Sequence, residues 1–227
     1  MSYYYQENRR GPFSNVPPVT KNLILVNILI YIATALNENF MIGTFGLFYP
    51  SSPYFHWWQV ITHMFMHGGF WHIFFNMYTL FIFGVVVERI IGSKKFALFY
   101  FVCGLGAAAL QIGTQYIEMQ AFISAGAADS IAAPKATPTV GASGAIYGVL
   151  IGYAMLFPDS KMTLLFPPIT LSAKWMVIIF AAIELFTGVI GWVDGVAHFA
   201  HLGGMLIGWL MIRWWRRRGV LFDRDRL

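Results

Sequence analysis

A single serine lies in a run of small residues, 141–148, between a loop rich in Pro and Ala and an apolar stretch. This position places Ser143 at the start of a hydrophobic helix, where it can cap the helix, pack against a neighbour or act as a nucleophile. A serine hydroxyl is a weak nucleophile and needs a base to remove its proton. His201, in the last apolar run, is the candidate base.

The composition excludes an ordinary soluble domain. Of the 227 residues, 58% are hydrophobic and 11% are charged, whereas soluble domains carry about 25% charged residues. The basic cluster after the last apolar run is typical of a cytoplasmic helix end and not of a nucleic-acid-binding face. The one cysteine, Cys103, permits no internal disulfide. We predict a protein embedded in the lipid bilayer, with no nucleic-acid partner.

The apolar runs predict an all-α membrane protein, a bundle of six transmembrane helices. The connection 37–70 is apolar and aromatic but has no run of spanning length, so we predict a partly embedded outer loop with short helices. The catalytic domain would comprise residues 19–213, between a cytoplasmic tail, 1–18, and a basic cytoplasmic tail, 214–227. The predicted spans cover 19–36, 71–87, 96–116, 143–157, 175–192 and 196–212.

The basic residues between these spans fall mainly on one side, which predicts cytoplasmic N and C termini. Spans two, four and six then run from outside to inside. Measured from the inner ends of their spans, Asn76 and His201 lie about 18 Å deep and Ser143 about 22 Å. Three polar residues at one depth predict a shared site that opens to the outer side.

The fourth predicted span is short. Its ~15 residues cannot cross a hydrocarbon layer of about 30 Å. The loop before Ser143 must therefore dip inward, and the free N–H groups at the helix start would face a cavity. An oxyanion would be stabilised there by the backbone N–H of Ser143 and by side chains of Asn76 and His67. Gly141 and Gly144, which have no side chains, would let a substrate carbonyl approach.

Small residues recur along two of these spans. Gly144 and Gly148 line the fourth span below Ser143, and Gly204 and Gly208 line the sixth below His201, so the two helices can pack closely. Tyr147 lies on the serine face and would support the imidazole ring. Spans two, four and six carry no carboxylate at this level, so a Ser-His dyad is expected.

Together these motifs resemble those of the rhomboid intramembrane serine proteases. The matching residues cover essentially the whole chain: the run 141–144 with Tyr147, then Ala200-His201 with Gly204 and Gly208, and His67-x4-His72-x3-Asn76. The resemblance implies that Ser143 is the nucleophile and His201 the base, with His67 and Asn76 around the oxyanion. It implies no cofactor and no metal.

The same resemblance implies that His72 holds the outer loop. The substrates would be transmembrane proteins cleaved near the outer end of a helix, and span five would move to admit them. The glycine spacing fits His201 better than His198. One departure stands out, because many members have Trp-Arg where this chain has Trp58-Gln59, so an arginine contact that orders the outer loop is expected to be missing. By analogy, the compact six-span size predicts a bacterial inner membrane.

Three alternatives stay open. A catalytically silent relative would bind transmembrane helices without cleaving them. A metal-dependent hydrolase or transporter would use His63, His67 and His72 as ligands. Glu184, an acid inside span five, predicts either a paired structural role or control of a gate. The oligomeric state does not follow from the sequence.

Overall fold

The computed structural model describes residues 15–127, 132–164, 168–190 and 197–221. Most of the predicted N-terminal tail, the end of the C-terminal tail and the connection between the fifth and sixth predicted spans lie outside these ranges. The helices are α1 Pro18–Leu36, α2 Glu38–Phe45, α3 Gln59–Thr62, α4 Phe70–Thr79, α5 Val85–Ile91, α6 Ser93–Ser124, α7 Ala132–Ala136, α8 Ser143–Leu156, α9 Ala173–Ile190 and α10 His198–Arg217, and the strands are β1 Lys161–Thr163 and β2 Thr170–Ser172.

The described chain is mostly helical and belongs to a membrane protein. Four helical segments are long and apolar enough to cross a bilayer: Pro18–Leu36, Phe70–Ile91, Ser93–Ser124 and Ala173–Ile190. The segment 70–91 joins α4 to α5 through a π-helical turn, Leu80–Gly84. Helix α8 has only 14 residues, and α10 ends in arginines. Helices suit a bilayer because they satisfy their backbone hydrogen bonds internally.

Two elements differ from the prediction. Helix α6 continues to Ser124, well past the predicted end of the third span at residue 116. No helix-breaking Gly or Pro occurs between residue 116 and Gly126, so the helix can propagate into the polar segment. The connection after α8 contains a two-stranded antiparallel hairpin, β1–β2, whose ends are closed by a bond from the Ala173 N–H to the Ser160 carbonyl, 2.8 Å.

The centre of the bundle is built where α6, α8 and α10 meet, and the backbones of α8 and α10 approach each other there at glycines. A Cβ atom on Gly204 would overlap the backbone carbonyl of Gly144, and one on Gly208 would lie 2.8 Å from the carbonyl oxygen of Gly148. A Cβ on Gly148 would also lie 2.5 Å from the Sγ of Cys103 on α6. These contacts fix α8 against α10 at backbone distance.

The inner end of the bundle is tied together by a fully buried carboxylate. Glu88 on α5 accepts hydrogen bonds from the Val19 and Thr20 N–H groups (3.0 and 2.7 Å) and from the Thr20 and Ser93 hydroxyls (both 2.7 Å). It therefore caps the start of α1 and joins it to α5 and α6.

The outer connection is ordered by Gln59, which is completely buried. Its Nε2 donates to the Tyr54 carbonyl at 2.9 Å and to the Thr44 carbonyl at 3.3 Å. Its Oε1 accepts the N–H groups of His56 at 3.1 Å and Phe48 at 3.4 Å. The side chain of Gln59 thus supplies both the donors and the acceptor that the loop backbone needs, and it orders the loop without an arginine.

Candidate active site

Two side chains from facing helices meet at the end of the bundle where α8 and α10 begin. Ser143 is the first residue of α8, and His201 lies in the first turn of α10. The Ser143 Oγ is 2.7 Å from the Nε2 of His201. The glycine contact of α8 with α10, one turn further along, brings the two residues within hydrogen-bond distance. A hydroxyl in this position can transfer its proton to the imidazole.

Tyr147 supports the histidine from the next turn of α8. Its ring stacks on the imidazole of His201, with centroids 4.2 Å apart and planes inclined by 6°. Its hydroxyl donates a hydrogen bond of 2.5 Å to Oε1 of Glu184 on α9. The ring orientation of His201 is therefore constrained on one face by an aromatic ring that is itself anchored.

A carboxylate from the fifth predicted span lies next to the histidine. Glu184 Oε1 is 2.9 Å from Nδ1 of His201, and its Oε2 is 2.7 Å from Nδ1 of His198. His198 thus contacts the same carboxylate as His201. The prediction compared only spans two, four and six. Counting from Ala173, Glu184 lies about 16 Å from the inner end of α9, which is the depth of His201.

The loop before Ser143 is joined to the outer connection, residues 37–70, by backbone hydrogen bonds. Thr139 and Leu47 exchange backbone hydrogen bonds of 2.8 and 2.9 Å, and the Gly141 N–H donates to the His63 carbonyl at 2.9 Å. The imidazole of His63 is buried and lies 2.8 Å from the carbonyl oxygen of Gln59 through Nδ1. The serine therefore sits at the end of a segment whose backbone is held on both sides.

Gly141 has a φ of +128°, a backbone conformation that residues with a Cβ rarely adopt. A Cβ there would lie 2.8 Å from the Nε2 of His72 and 3.6 Å from the Oγ of Ser143. Glycine is thus required both by the turn and by the close approach of His72. The structure places His72 beside the serine loop, closer to the site than its predicted role in holding the outer loop implies.

His67 and Asn76 are buried, at 1% and 6% exposure. The rings of His67 and His72 meet edge to face, with centroids 4.9 Å apart, and Asn76 lies one helical turn after His72 on α4. Both nitrogens of His67 and Nδ2 of Asn76 lack a hydrogen-bond partner among the described residues. Unsatisfied buried donors are costly, which makes them candidates for binding an incoming group.

Burial, together with the neighbouring His72, lowers the pKa of His67 to about 3. The imidazole is therefore neutral at physiological pH and keeps one N–H donor. Burial also lowers the pKa of His63 to about 4. Among the residues that the structure describes, no three His, Cys, Asp or Glu side chains are grouped so as to hold a metal ion.

Of the predicted glycines, Gly148, Gly204 and Gly208 lie in the contact between α8 and its neighbours, as described above. Gly144 lies there too: a Cβ would overlap that of Ala107 on α6 and approach the Ala200 carbonyl oxygen to 3.4 Å. The sequence also suggests that Gly144 clears the path of a substrate. In the structure Gly144 is buried against α6 and α10, and it also lines the small cavity beside Ser143.

Comparison with known proteins identifies relatives over most of the chain. Residues 54–218 match the family model of the rhomboid domain. The rhomboid protease AarA of Providencia stuartii is 30% identical over 207 residues, 85% of this chain and 70% of that protein. The putative rhomboid protease YdcA of Bacillus subtilis is 28% identical over 163 residues, 71% of each chain.

Relatives also occur in eukaryotes. RHOMBOID-like protein 6, mitochondrial, of Arabidopsis thaliana is 30% identical over 154 residues, 68% of this chain. The chain spans only 42% of the length of that plant protein. The family model alone covers well over half of the chain. The chain therefore belongs to the rhomboid family of membrane proteins, whose members are generally intramembrane proteases.

Proposed function

We propose that this protein is an intramembrane serine endopeptidase that hydrolyses peptide bonds in or near the transmembrane segments of other membrane proteins. The observation that carries the proposal is the 2.7 Å contact of Ser143 Oγ with His201 Nε2 at the start of a short helix. The family and its protease members support the reaction type.

In this reaction Nε2 of His201 accepts the hydroxyl proton while Ser143 attacks the scissile carbonyl. The negative charge that develops on the carbonyl oxygen is stabilised by the Ser143 N–H at the start of α8 and by the buried donors of His67 and Asn76. The imidazolium then protonates the leaving amine, and water, deprotonated by the same histidine, hydrolyses the acyl-enzyme.

A peptide must displace part of the protein to reach the serine. The cavity beside Ser143 has a volume of about 10 Å³, which is the space of one water molecule. Helix α9 is the element whose displacement we propose, because it lies against His201 through Glu184 and only 22% of its span is buried, against 39% for α6. Transmembrane helices arriving through the bilayer would pass this side.

The proposed topology has six spans, formed by α1, the segment 70–91, α6, α8, α9 and α10. Both termini are cytoplasmic, and the site opens to the periplasmic side of a bacterial inner membrane. The positive residues at the inner ends support this orientation. The outer connection 37–70 would be partly embedded, with Gln59 supporting its backbone.

The proposal is tested with the full chain in membranes. Wild type, Ser143→Ala and His201→Ala are treated with a fluorophosphonate probe and, in parallel, with a membrane-tethered transmembrane substrate. Ser124→Ala, a serine on α6 whose hydroxyl only bonds back to the Gln120 carbonyl, is the matched control. We expect labelling and cleavage by wild type and the control, and neither by the two site variants.

Cleavage that survives Ser143→Ala would contradict the proposal. A wild-type protein that never labels, yet binds transmembrane helices, would support the catalytically silent alternative. Activity that chelation abolishes while Ser143→Ala retains it would support a metal-dependent reaction.

A further inference from the structure

A buried acid, Glu184 on α9, lies next to the histidine of the proposed Ser143–His201 pair. Glu184 is 7% exposed and lies at the middle of the membrane-crossing helix α9. A carboxylate at this depth is costly unless it is paired. Its partners are the Tyr147 hydroxyl on α8 and the Nδ1 atoms of His198 and His201 on α10.

These contacts differ from those of Glu88, the other buried acid among the residues that the structure describes. Glu88 accepts bonds from backbone N–H groups and hydroxyls that never change charge. Glu184 faces two imidazoles, one of which shares its other nitrogen with Ser143. When Nε2 accepts the serine proton, Nδ1 must already carry a proton and the ring becomes positive. The carboxylate lies 2.9 Å from that nitrogen.

We propose that Glu184 is a positioning residue for the reaction, holding the His201 ring in the tautomer with Nδ1 protonated and stabilising the imidazolium that forms. This inference rests on the proposed protease activity and extends the dyad to an arrangement of serine, histidine and glutamate. The Nδ1 contact is a close ionic approach and not a well-directed hydrogen bond, so its effect is chiefly electrostatic.

The position of Glu184 on α9 makes this support conditional. The other buried residues of α9, namely Ala173, Met176 and Val177, lie at its inner end. In the outer half, α9 contacts α10 through Glu184, through the Thr187 Oγ1 at 3.1 Å from His198 Nδ1, and through Gly188 packed against Phe199. An outward displacement of this half withdraws the carboxylate from His201. His201 therefore keeps its contact with the Glu184 carboxylate only while the outer half of α9 packs against α10.

Glu184→Gln is the decisive variant, because the amide is nearly isosteric and can still accept the bond from Tyr147. Initial rates of fluorophosphonate labelling and of substrate cleavage are measured from about pH 5 to 9, with folding checked by thermal unfolding. We expect a loss of about 10²-fold in kcat, with little change in KM and an acid limb of the rate profile displaced to lower pH. Glu118→Gln, an exposed acid on α6, should behave as wild type.

Other groups that titrate near His201 must be separated from this effect. They are Tyr147 on α8, His198 on α10 and His72 on α4, which interacts electrostatically with His201. We expect His198→Gln to keep the wild-type acid limb, since the contact of Glu184 with His201 remains. A limb that moves with His198→Gln and not with Glu184→Gln contradicts the proposal.

A purely structural latch gives a different result. If Glu184 only holds α9 closed, Glu184→Gln frees the helix, so that cleavage becomes faster or stays the same and the pH profile does not move. That outcome overturns the inference while leaving the protease proposal intact. If wild type itself neither labels nor cleaves, the protease proposal fails first and the inference fails with it.

Discussion

The contact of α8 with α10 and the contact of α9 with α10 hold the same histidine in opposite ways. In the first, backbones touch through Gly144, Gly148, Gly204 and Gly208, so neither helix can shift without steric overlap. In the second, the outer half of α9 is held by one carboxylate, one hydroxyl and one glycine contact. The serine and its base thus lie in a closely packed interface, whereas Glu184 lies on the helix whose displacement we propose.

This difference indicates a division of tasks within one site. Close backbone packing positions the reacting atoms, where an error of about 1 Å costs about 10²-fold in rate. Polar contacts that exchange for others at small cost suit the side where a substrate arrives. Changes to the first interface should therefore affect stability and activity together, and changes to the second mainly activity.

The largest effect is expected from breaking the rigid interface. Gly204→Ala places a methyl group in the Gly144 carbonyl, so α8 and α10 must separate. We expect a loss of about 3 kcal/mol in the free energy of unfolding and the loss of fluorophosphonate labelling. Thermal unfolding in detergent and probe labelling measure the two effects.

Gly113→Ala on α6 is the control, since nothing lies within 4 Å of the added Cβ. It should be neutral or slightly stabilising, because alanine favours the helix. Equal behaviour of the two variants would show that the glycine contact does not fix the helices.

The next effect concerns the outer connection. Gln59→Ala removes both the donor and the acceptor that hold four backbone groups. We expect a loss of about 2 kcal/mol, because buried backbone groups are left unsatisfied. Faster protease cleavage of the segment 46–58 and a lower unfolding temperature would measure it. Gln120→Ala, at an exposed position on α6, serves as control. An equal loss of stability in the two variants would contradict the role of Gln59 in ordering the outer connection.

Acid should weaken the outer region through two histidines. Burial lowers the pKa of His63 to about 4 and that of His67 to about 3, against about 6.5 in the unfolded chain. Between these values the unfolded state binds more protons, so stability is present above about pH 6.5 and falls as the pH decreases. For His63 the loss is about 2 kcal/mol by about pH 4.5.

Unfolding temperatures of wild type and His63→Gln between about pH 7.5 and 4.5 test this dependence. We expect the unfolding temperature to fall with decreasing pH in both proteins, with a smaller slope in the variant. If wild type became more stable on acidification, the change of stability with pH would have the opposite sign. That result would exclude a neutral, buried His63.

The smallest effect is expected in the outer half of α9. Thr187→Val removes the hydroxyl that approaches His198, and interhelical hydrogen bonds in membranes contribute about 0.6 kcal/mol on average. The unfolding temperature should hardly change. Thr114→Val removes only a bond within α6 and is the matched control. A loss as large as that of Gly204→Ala would contradict the contrast between the two interfaces.

The candidate pair could be found from the sequence because its signals are local. The small residues around Ser143, the glycines spaced by four and the distances along parallel-running spans each follow from helix geometry. The shortness of the fourth helix followed from Pro158 and from the polar loop before residue 143. Helix α6 was less predictable, since a helix leaving the membrane ends where its sequence stops favouring helix, not where its hydropathy falls.

What the sequence by itself determined is thus the membrane class, the approximate helices and the meeting of Ser143 with His201. Only the tertiary structure decided that Gln59 orders the outer connection, that Gly144 faces α6 and α10, and that Glu184 and His198 complete the cluster. The physical reason is that depth along a helix can be counted from residues, whereas the direction in which a side chain points depends on the rotation and tilt that packing imposes on each helix. Glu184 had the right depth in the sequence; its direction came from the fold.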